Sequence, residues 1–189
     1  GSGGEGSIEV FDYETNHVVH RDWVIVDWTD YNETLGETRP ATGDIDGDGA
    51  DEIIVGLASA KESDTIQNGQ FEIIDNDFTH LAWGEIAWPD YNALNGESWT
   101  TTGDMDGDMK KEIIIGLGKG GQGQIELFNF ENGHVNHRAW AQVDWNEYNQ
   151  AHGETRPVSG DIDSDGYDEI IVGLGSVPGN PEIPKGYFQ

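Results

Sequence analysis

Carboxylates recur in this chain at a spacing suited to a hard cation. Within residues 43–57, GDIDGDGADEIIVGL, Asp44, Asp46 and Asp48 alternate, and Glu52 follows at the ninth position counted from Asp44. Alternate residues of a tight turn point inward, so the three aspartates can converge on one centre. Oxygen donors at that density suit Ca²⁺ rather than zinc or copper. Without a cation the clustered carboxylates repel, and some must take up protons. Gly47 and Gly49 permit the sharp backbone path. Ala50 offers its main-chain carbonyl at the seventh position, and Glu52 closes the shell.

The pattern returns twice. Residues 103–117, GDMDGDMKKEIIIGL, supply Asp104, Asp106, Asp108, the carbonyl of Lys110, and Glu112. Residues 160–174, GDIDSDGYDEIIVGL, supply Asp161, Asp163, Asp165, the carbonyl of Tyr167, and Glu169. The middle loop is the weakest of the three: Met109 stands where the first loop has Gly49, and Lys110 and Lys111 bring positive charge to it. Ser164 in the third loop is a mild change. The spacing starts like an EF-hand loop but lacks the glutamate at position 12 and the flanking helices. The expectation is one Ca²⁺ per loop, three per chain.

Strands must hold these loops. Each loop runs into a β-branched stretch (Ile53-Ile54-Val55 in the first), which reads as a strand buried on both faces. The tetrads at Gly6, Gly69, Gly123 and Gly186 (GSIE, GQFE, GQIE, GYFQ) mark a repeat of roughly 60 residues. Residues 1–5 read as a vector-derived linker, with the native start missing. Residues 6–68, 69–122 and 123–189 form three repeats, the last ending at the phase where the first begins. Each repeat reads as four strands, in the first at 8–13, 18–28, 39–45 and 52–57. No segment keeps a 3.6-residue period, so helix should be nearly absent. The repeats differ in length after Leu57, Leu117 and Leu174, which marks an exposed loop. Four antiparallel strands in about 60 residues is the size of a β-propeller blade. The fold class expected is all-β: a propeller of four-stranded blades, three blade-equivalents per chain.

A second constellation recurs, H-x-x-W-x-x-x-x-W-x-x-Y-N with Gly-Glu soon after. It comprises Trp23, Trp28, Tyr31, Asn32 and Glu37, then Trp83, Trp88, Tyr91, Asn92 and Glu97, then Trp140, Trp145, Tyr148, Asn149 and Glu154. Two readings stand. The rings can fill the space between stacked sheets, or tryptophan faces with Asn and Glu beside them can hold a sugar. His20, His80 and His137, one per repeat, are too far apart to share a zinc ion and read as structural. Arg39 and Arg156 either pair with Glu37 and Glu154 or reach into a channel, while Trp99 replaces them in the middle repeat.

The loop sequences GDIDGDGADEIIVGL and GDIDSDGYDEIIVGL resemble the FG-GAP repeat of integrin α-subunit propellers and of related bacterial calcium-binding propellers. The resemblance extends over about residues 6–189. It implies that the strand before each loop is the innermost of its blade, and that the aspartates and glutamates named above are calcium ligands. Two features depart from the family. The FG and GAP signatures are degenerate, and position nine is Glu where integrins usually carry Asp, so Asp51 or Asp168 competes for that role.

With 37 acidic against 9 basic residues and a net charge of −28, the chain is unsuited to nucleic acid or anionic membranes. It has no cysteine, and no apolar run approaches the ~20 residues of a membrane span. The balance fits a secreted or cell-surface setting rich in calcium. The function expected is a calcium-binding adhesion or lectin-like module, with carbohydrate or an extracellular protein as ligand. The alternatives are a ligand-free or engineered propeller scaffold and a polysaccharide-lyase-type propeller. Every candidate acid or base recurs in each repeat, and no unique nucleophile–base pair stands out, which reads as a non-enzyme. Three blades are too few to close a ring. The partner expected is therefore a second copy, giving a six-bladed homodimer with two shared blades.

Overall fold

The computed structural model describes residues 3–60 and 67–175. The GYFQ tetrad at 186–189 and most of the connection after Leu174 lie outside the described residues.

The described chain is all-β with three short helices. Its elements are β1 (Ser7–Glu14), β2 (His17–Ile25), α1 (Thr29–Thr34), β3 (Thr38–Gly43), β4 (Glu52–Leu57), β5 (Gln70–Ile74) and β6 (His80–Glu85). There follow α2 (Pro89–Leu94), β7 (Ser98–Gly103), β8 (Glu112–Leu117), β9 (Gln124–Glu131), β10 (His134–Gln142), α3 (Asn146–Ala151), β11 (Thr155–Gly160) and β12 (Glu169–Leu174). Every pairing is antiparallel between sequence neighbours. Strands β3-β4-β5-β6 form one four-stranded sheet and β7-β8-β9-β10 another, while β1-β2 and β11-β12 each form a pair. Among the described residues, no helix is long and apolar enough to cross a membrane.

Strands β4 and β8 are buried at every position, as their β-branched runs require. The core lies between successive sheets. Ile54, Phe71 and Ile73 meet Ile113, Ile115 and Phe128, and the Phe71 and Phe128 rings stand 5.2 Å apart. Hairpins β1-β2, β5-β6 and β9-β10 each carry one register shift, at Val10/Phe11, Ile73/Ile74 and His137/Ala139. These bulges increase the local twist.

The expectation of almost no helix needs correction. The tryptophan-to-asparagine segments form helices of six residues each. Six residues are under two turns, too few for a helical period to show in sequence. The Tyr31 ring is fully buried, and its carbonyl accepts from both Leu35 and Gly36 N–H groups. Gly36, at φ +57°, then ends the turn in the left-handed region. The strand expected over 18–28 stops at Ile25 for the same reason. The one expected over 39–45 stops at Gly43, where the acidic loop begins.

Candidate functional site

Each acidic loop is the turn of a hairpin: β3-β4, β7-β8 or β11-β12. Its shape comes from carboxylates capping its own amides. In the first loop Asp44 accepts from Gly47 N–H (2.6 Å) and Gly49 N–H (3.0 Å), Asp46 from Asp48 N–H (2.9 Å), and Asp48 from Ala50 N–H (2.8 Å). Asp104 and Asp161 make the equivalent contacts to Gly107 and Met109, and to Ser164 and Gly166. Lys110 and Tyr167, like Ala50, donate their amides to the aspartate two residues back. The fourth and sixth positions are left-handed in every loop. That includes Met109 at φ +73° and Ser164 at φ +66°, a conformation that disfavours side chains other than glycine's.

Carboxylate oxygens of Asp44, Asp46 and Asp48 lie within 4.8 Å of one another, as do those of Asp104, Asp106 and Asp108, and of Asp161, Asp163 and Glu169. These groups could hold a metal ion. Asp165 falls outside the third group, and Glu169 takes a place there instead.

The ninth-position glutamates share one anchor and differ at the other oxygen. Glu52 Oε2 accepts from Ile45 N–H at 2.9 Å, Glu112 Oε2 from Met105 N–H at 2.8 Å, and Glu169 Oε2 from Ile162 N–H at 2.9 Å. Glu52 is fully buried, and its Oε1 has no hydrogen-bond donor. Burial pushes this carboxyl up to about 7; the Ile45 amide opposes the shift and the three loop aspartates add to it. An orphaned buried carboxylate oxygen beside three aspartates is a donor set that fits a hard cation. In the middle loop, Arg138 from β10 fills this place, with Nη1 2.7 Å from Glu112 Oε1 and Nη2 3.0 Å from Asp106 Oδ2.

Two sequence expectations change here. Lys110 and Lys111 do not bring their charge into their own loop. Lys110 Nζ donates to the Asp46 carbonyl of the first loop (2.8 Å), and Lys111 Nζ meets Asp168 of the third (2.9 Å). The positive charge in the middle loop is Arg138, which lies beyond that loop's sequence. Asp168 Oδ2 accepts from the Asp104 amide (2.9 Å) as well as from Lys111, and Asp168 is not among the carboxylates that converge with Asp161.

The aromatic constellation divides. Tyr31, Tyr91 and Tyr148 are buried; their hydroxyls donate to the carbonyls of Glu37, Glu97 and Glu154 and accept from the amides of Ala58, Gly118 and Gly175. Burial lifts the Tyr31 and Tyr148 hydroxyls to about 12. Asn32, Asn92 and Asn149 each donate to a main-chain carbonyl, of Val26, Ile86 and Val143. Glu37 and Glu97 both hold Arg39, at 2.5 and 2.6 Å, and Glu154 holds Arg156 at 2.5 Å. The two guanidiniums stack on Trp99 at 4.1 and 4.4 Å. The tyrosine hydroxyls, the asparagine Nδ2 groups and the glutamate carboxylates thus spend these hydrogen bonds on the fold, while Oδ1 of Asn32, Asn92 and Asn149 is buried with no hydrogen-bond partner.

The second tryptophan of the motif in the first and middle repeats pairs with the first tryptophan of the repeat that follows. Trp28 meets Trp83 of the next sheet edge to face at 5.7 Å, and Trp88 meets Trp140 at 6.4 Å. A cleft of about 270 Å³ with Asp27, Gln67 and Gln70 adjoins the first pair, and one of about 420 Å³ with Ala87, Gln122 and Gln124 adjoins the second.

The sequence also left unread a set of carboxylates that bridge sheets. Glu72 accepts from the Asp27 amide at 3.1 Å and lies 2.8 Å from His80 Nδ1. Glu126 accepts from the Ala87 amide at 3.0 Å and lies 2.7 Å from His137 Nδ1. Burial raises both carboxyls, Glu126 to about 7. The alternating E in GQFE and GQIE was the available signal.

No protein-family model and no curated protein matches the chain. Solved structures that resemble it include rhamnogalacturonan lyase YesW (16% identity, TM-score 0.48, 72% of this chain and 28% of that one). The exotype rhamnogalacturonan lyase YesX gives 19%, 0.48, 70% and 27%. The Bacillus licheniformis rhamnogalacturonan lyase PL11 gives 17%, 0.49, 70% and 28%. The chain spans under a third of the length of those enzymes.

Proposed function

We propose that the chain is a calcium-stabilised binding module whose sheets are blades of an FG-GAP-like β-propeller. It would work outside the cell, where calcium is plentiful, and take a carbohydrate on its tryptophan clefts. The observation that carries the reading is the acidic loop itself, repeated at the same hairpin turn with its oxygens already convergent. Three such clusters are hard to sustain without cations, since like charges at this spacing repel. Asp44, Asp46, Asp48 and Glu52 would hold the first Ca²⁺, with their counterparts in the other loops, and the ion would supply rigidity rather than chemistry. Trp28 with Trp83, and Trp88 with Trp140, would offer apolar faces, and the glutamines beside them hydrogen bonds.

Calcium titration tests the metal. At a free concentration 100 times Kd, one site adds about 2.7 kcal/mol to the folded state, so the melting temperature should rise with calcium and fall with chelator. A melt unchanged by thorough chelation sinks the reading. A glycan array tests the ligand, with Trp88→Ala expected to lose binding while keeping the parent's β-sheet circular dichroism at the assay temperature. Incubation with rhamnogalacturonan guards the other side, because newly cut chains would replace a binding module with an enzyme.

A further inference from the structure

Among the described residues, the pairs β1-β2 and β11-β12 are complementary halves of the four-stranded sheet that occurs twice in full. In the complete sheets the second strand pairs with the third in one register: Ile53↔Ile74, Ile54↔Ile73, Val55↔Glu72 and Gly56↔Phe71, then Ile113↔Phe128 through Gly116↔Ile125. Strand β12 repeats the sequence of β4, EIIVGL, and β1 carries Ile8-Glu9-Val10-Phe11 at the positions of Phe71-Glu72-Ile73-Ile74. We propose that β12 of one copy of this chain pairs with β1 of a second copy, with Ile170 opposite Phe11, Ile171 opposite Val10, Val172 opposite Glu9 and Gly173 opposite Ile8. Two such seams join two copies into six sheets.

Several independent features ask for this occupant rather than another. Apolar exposure gathers on the half-sheets: Phe11, Val18, Trp23 and Ile25 on β1-β2, and Val158 on β11. Trp23, at the position of Trp83 and Trp140, is 55% exposed. Glu9 would accept the Asp144 amide, as Glu72 and Glu126 accept those of Asp27 and Ala87. Arg39 is 11% exposed between Glu37 and Glu97, whereas the Arg156 side chain is 52% exposed; across the seam it gains Glu37 of the second copy. The hydroxyls of Ser98 and Thr155 accept the Leu57 and Leu117 amides of the preceding sheet at 2.8 Å, and Thr38 has the matching hydroxyl for Leu174. The inference rests on sheet register and holds whether or not the clefts take a sugar.

Glycines supply a test confined to the seam. A Cβ on Gly56 would meet the Ser98 carbonyl at 2.5 Å, and one on Gly116 the Thr155 carbonyl at 2.4 Å. On Gly173 the nearest atom is Arg156 O at 3.4 Å, an ordinary contact. Sedimentation of the full chain in calcium at micromolar concentration should give twice the 20.7 kDa chain mass. Gly173→Ala should give a folded monomer with unchanged circular dichroism. The doubly substituted Val10→Cys, Ile171→Cys chain, in a protein with no cysteine of its own, should form disulfide-linked pairs on oxidation. Directly opposed antiparallel residues lie about 4.5–5.5 Å apart at Cα, inside the range a disulfide spans. A monomeric parent chain overturns the proposal. So does a Gly173→Ala dimer as tight as the parent, a disulfide within one chain, or a closed assembly of three copies.

Discussion

Strands β4 and β12 have the same six residues, EIIVGL, and pair in the same register with strands of nearly the same sequence: Thr38↔Leu57 to Gly43↔Glu52, and Thr155↔Leu174 to Gly160↔Glu169. Every residue of β4 is buried, whereas in β12 only Val172 is. Hairpin geometry is therefore a local property, set by the β-branched run, the acidic turn and the alternation of the partner strand. Burial is not local. It comes from β5 on the free edge and from the neighbouring sheets on the faces. Fully burying an Ile, Val or Leu side chain is worth roughly 1.5–3 kcal/mol, so identical peptides differ by several kcal/mol in what holds them.

The comparison is most open to attack at its apolar centre. Ile54→Ala should destabilise by about 3 kcal/mol, the ordinary cost of truncating a packed core residue. Ile171→Ala should cost less than half of that in dilute protein, where chains stand alone, and approach the Ile54 value as concentration rises. Urea denaturation at two protein concentrations measures both, and equal losses under dilute conditions would break the comparison. Next comes the pair of half-buried histidines against fully buried carboxylates. Glu126 titrates near 7 because burial raises it, against the pull of the Ala87 amide and His137. A carboxyl raised in the folded state favours folding below its ordinary value near 4.3, and this contribution is lost as pH climbs to about 7. Glu126→Gln should therefore improve relative to the parent between pH 5 and pH 8, by on the order of a kcal/mol. A difference that stays flat across that window would refute the sign.

The acidic loops sharpen the same theme at smaller scale. Arg138 neutralises Asp106 and Glu112 in the middle loop, whereas Glu52 in the first loop has an oxygen without a donor. Arg138→Gln should raise the calcium affinity of the middle loop by roughly tenfold, about 1.4 kcal/mol, and calorimetry that finds the weakest site unchanged would sink that account. Smallest is Met109→Gly, which relieves a left-handed side chain. Since that conformation costs roughly 1–2 kcal/mol and glycine gives some back in entropy, a gain of about 0.5–1 kcal/mol is expected in the chemical melt. A loss would mean that the exposed Met109 side chain makes contacts of its own.

These differences also mark what could be read without coordinates. The acidic turns and the strands after them were legible because their cause is local: alternating aspartates, glycine where the backbone turns left-handed, and an unbroken β-branched run. The six-residue helices were not, since a turn and a half leaves no period. Nor was the role of Tyr31, Asn32 and Glu37 as fastenings. Their residue types serve a sugar site and a buried hydrogen-bond network equally well, and only the position of Ala58, Val26 and Arg39 separates the two. Arg138 was out of reach for another reason: it enters the middle loop from β10, and nothing in the spacing of the loop points there.

The acidic loops touch one another. Lys111 donates its amide to the Asp44 carbonyl at 2.8 Å and Asp168 donates its amide to the Asp104 carbonyl at 2.7 Å, while Asp168 accepts from the Asp104 amide. Asp44 and Asp104 thus turn their side chains to carboxylate groups that could hold a cation while their main chains grip the next loop. An ion that draws in the Asp104 carboxylate must also adjust the hydrogen bonds holding the third loop, and by reciprocity an ion in the third loop changes the middle one by the same factor. Under the calcium reading, filling of the sites becomes a concerted property of the three loops. The binding isotherm should depart from that of independent sites, and loosening one loop should be felt in its neighbour before it is felt anywhere else.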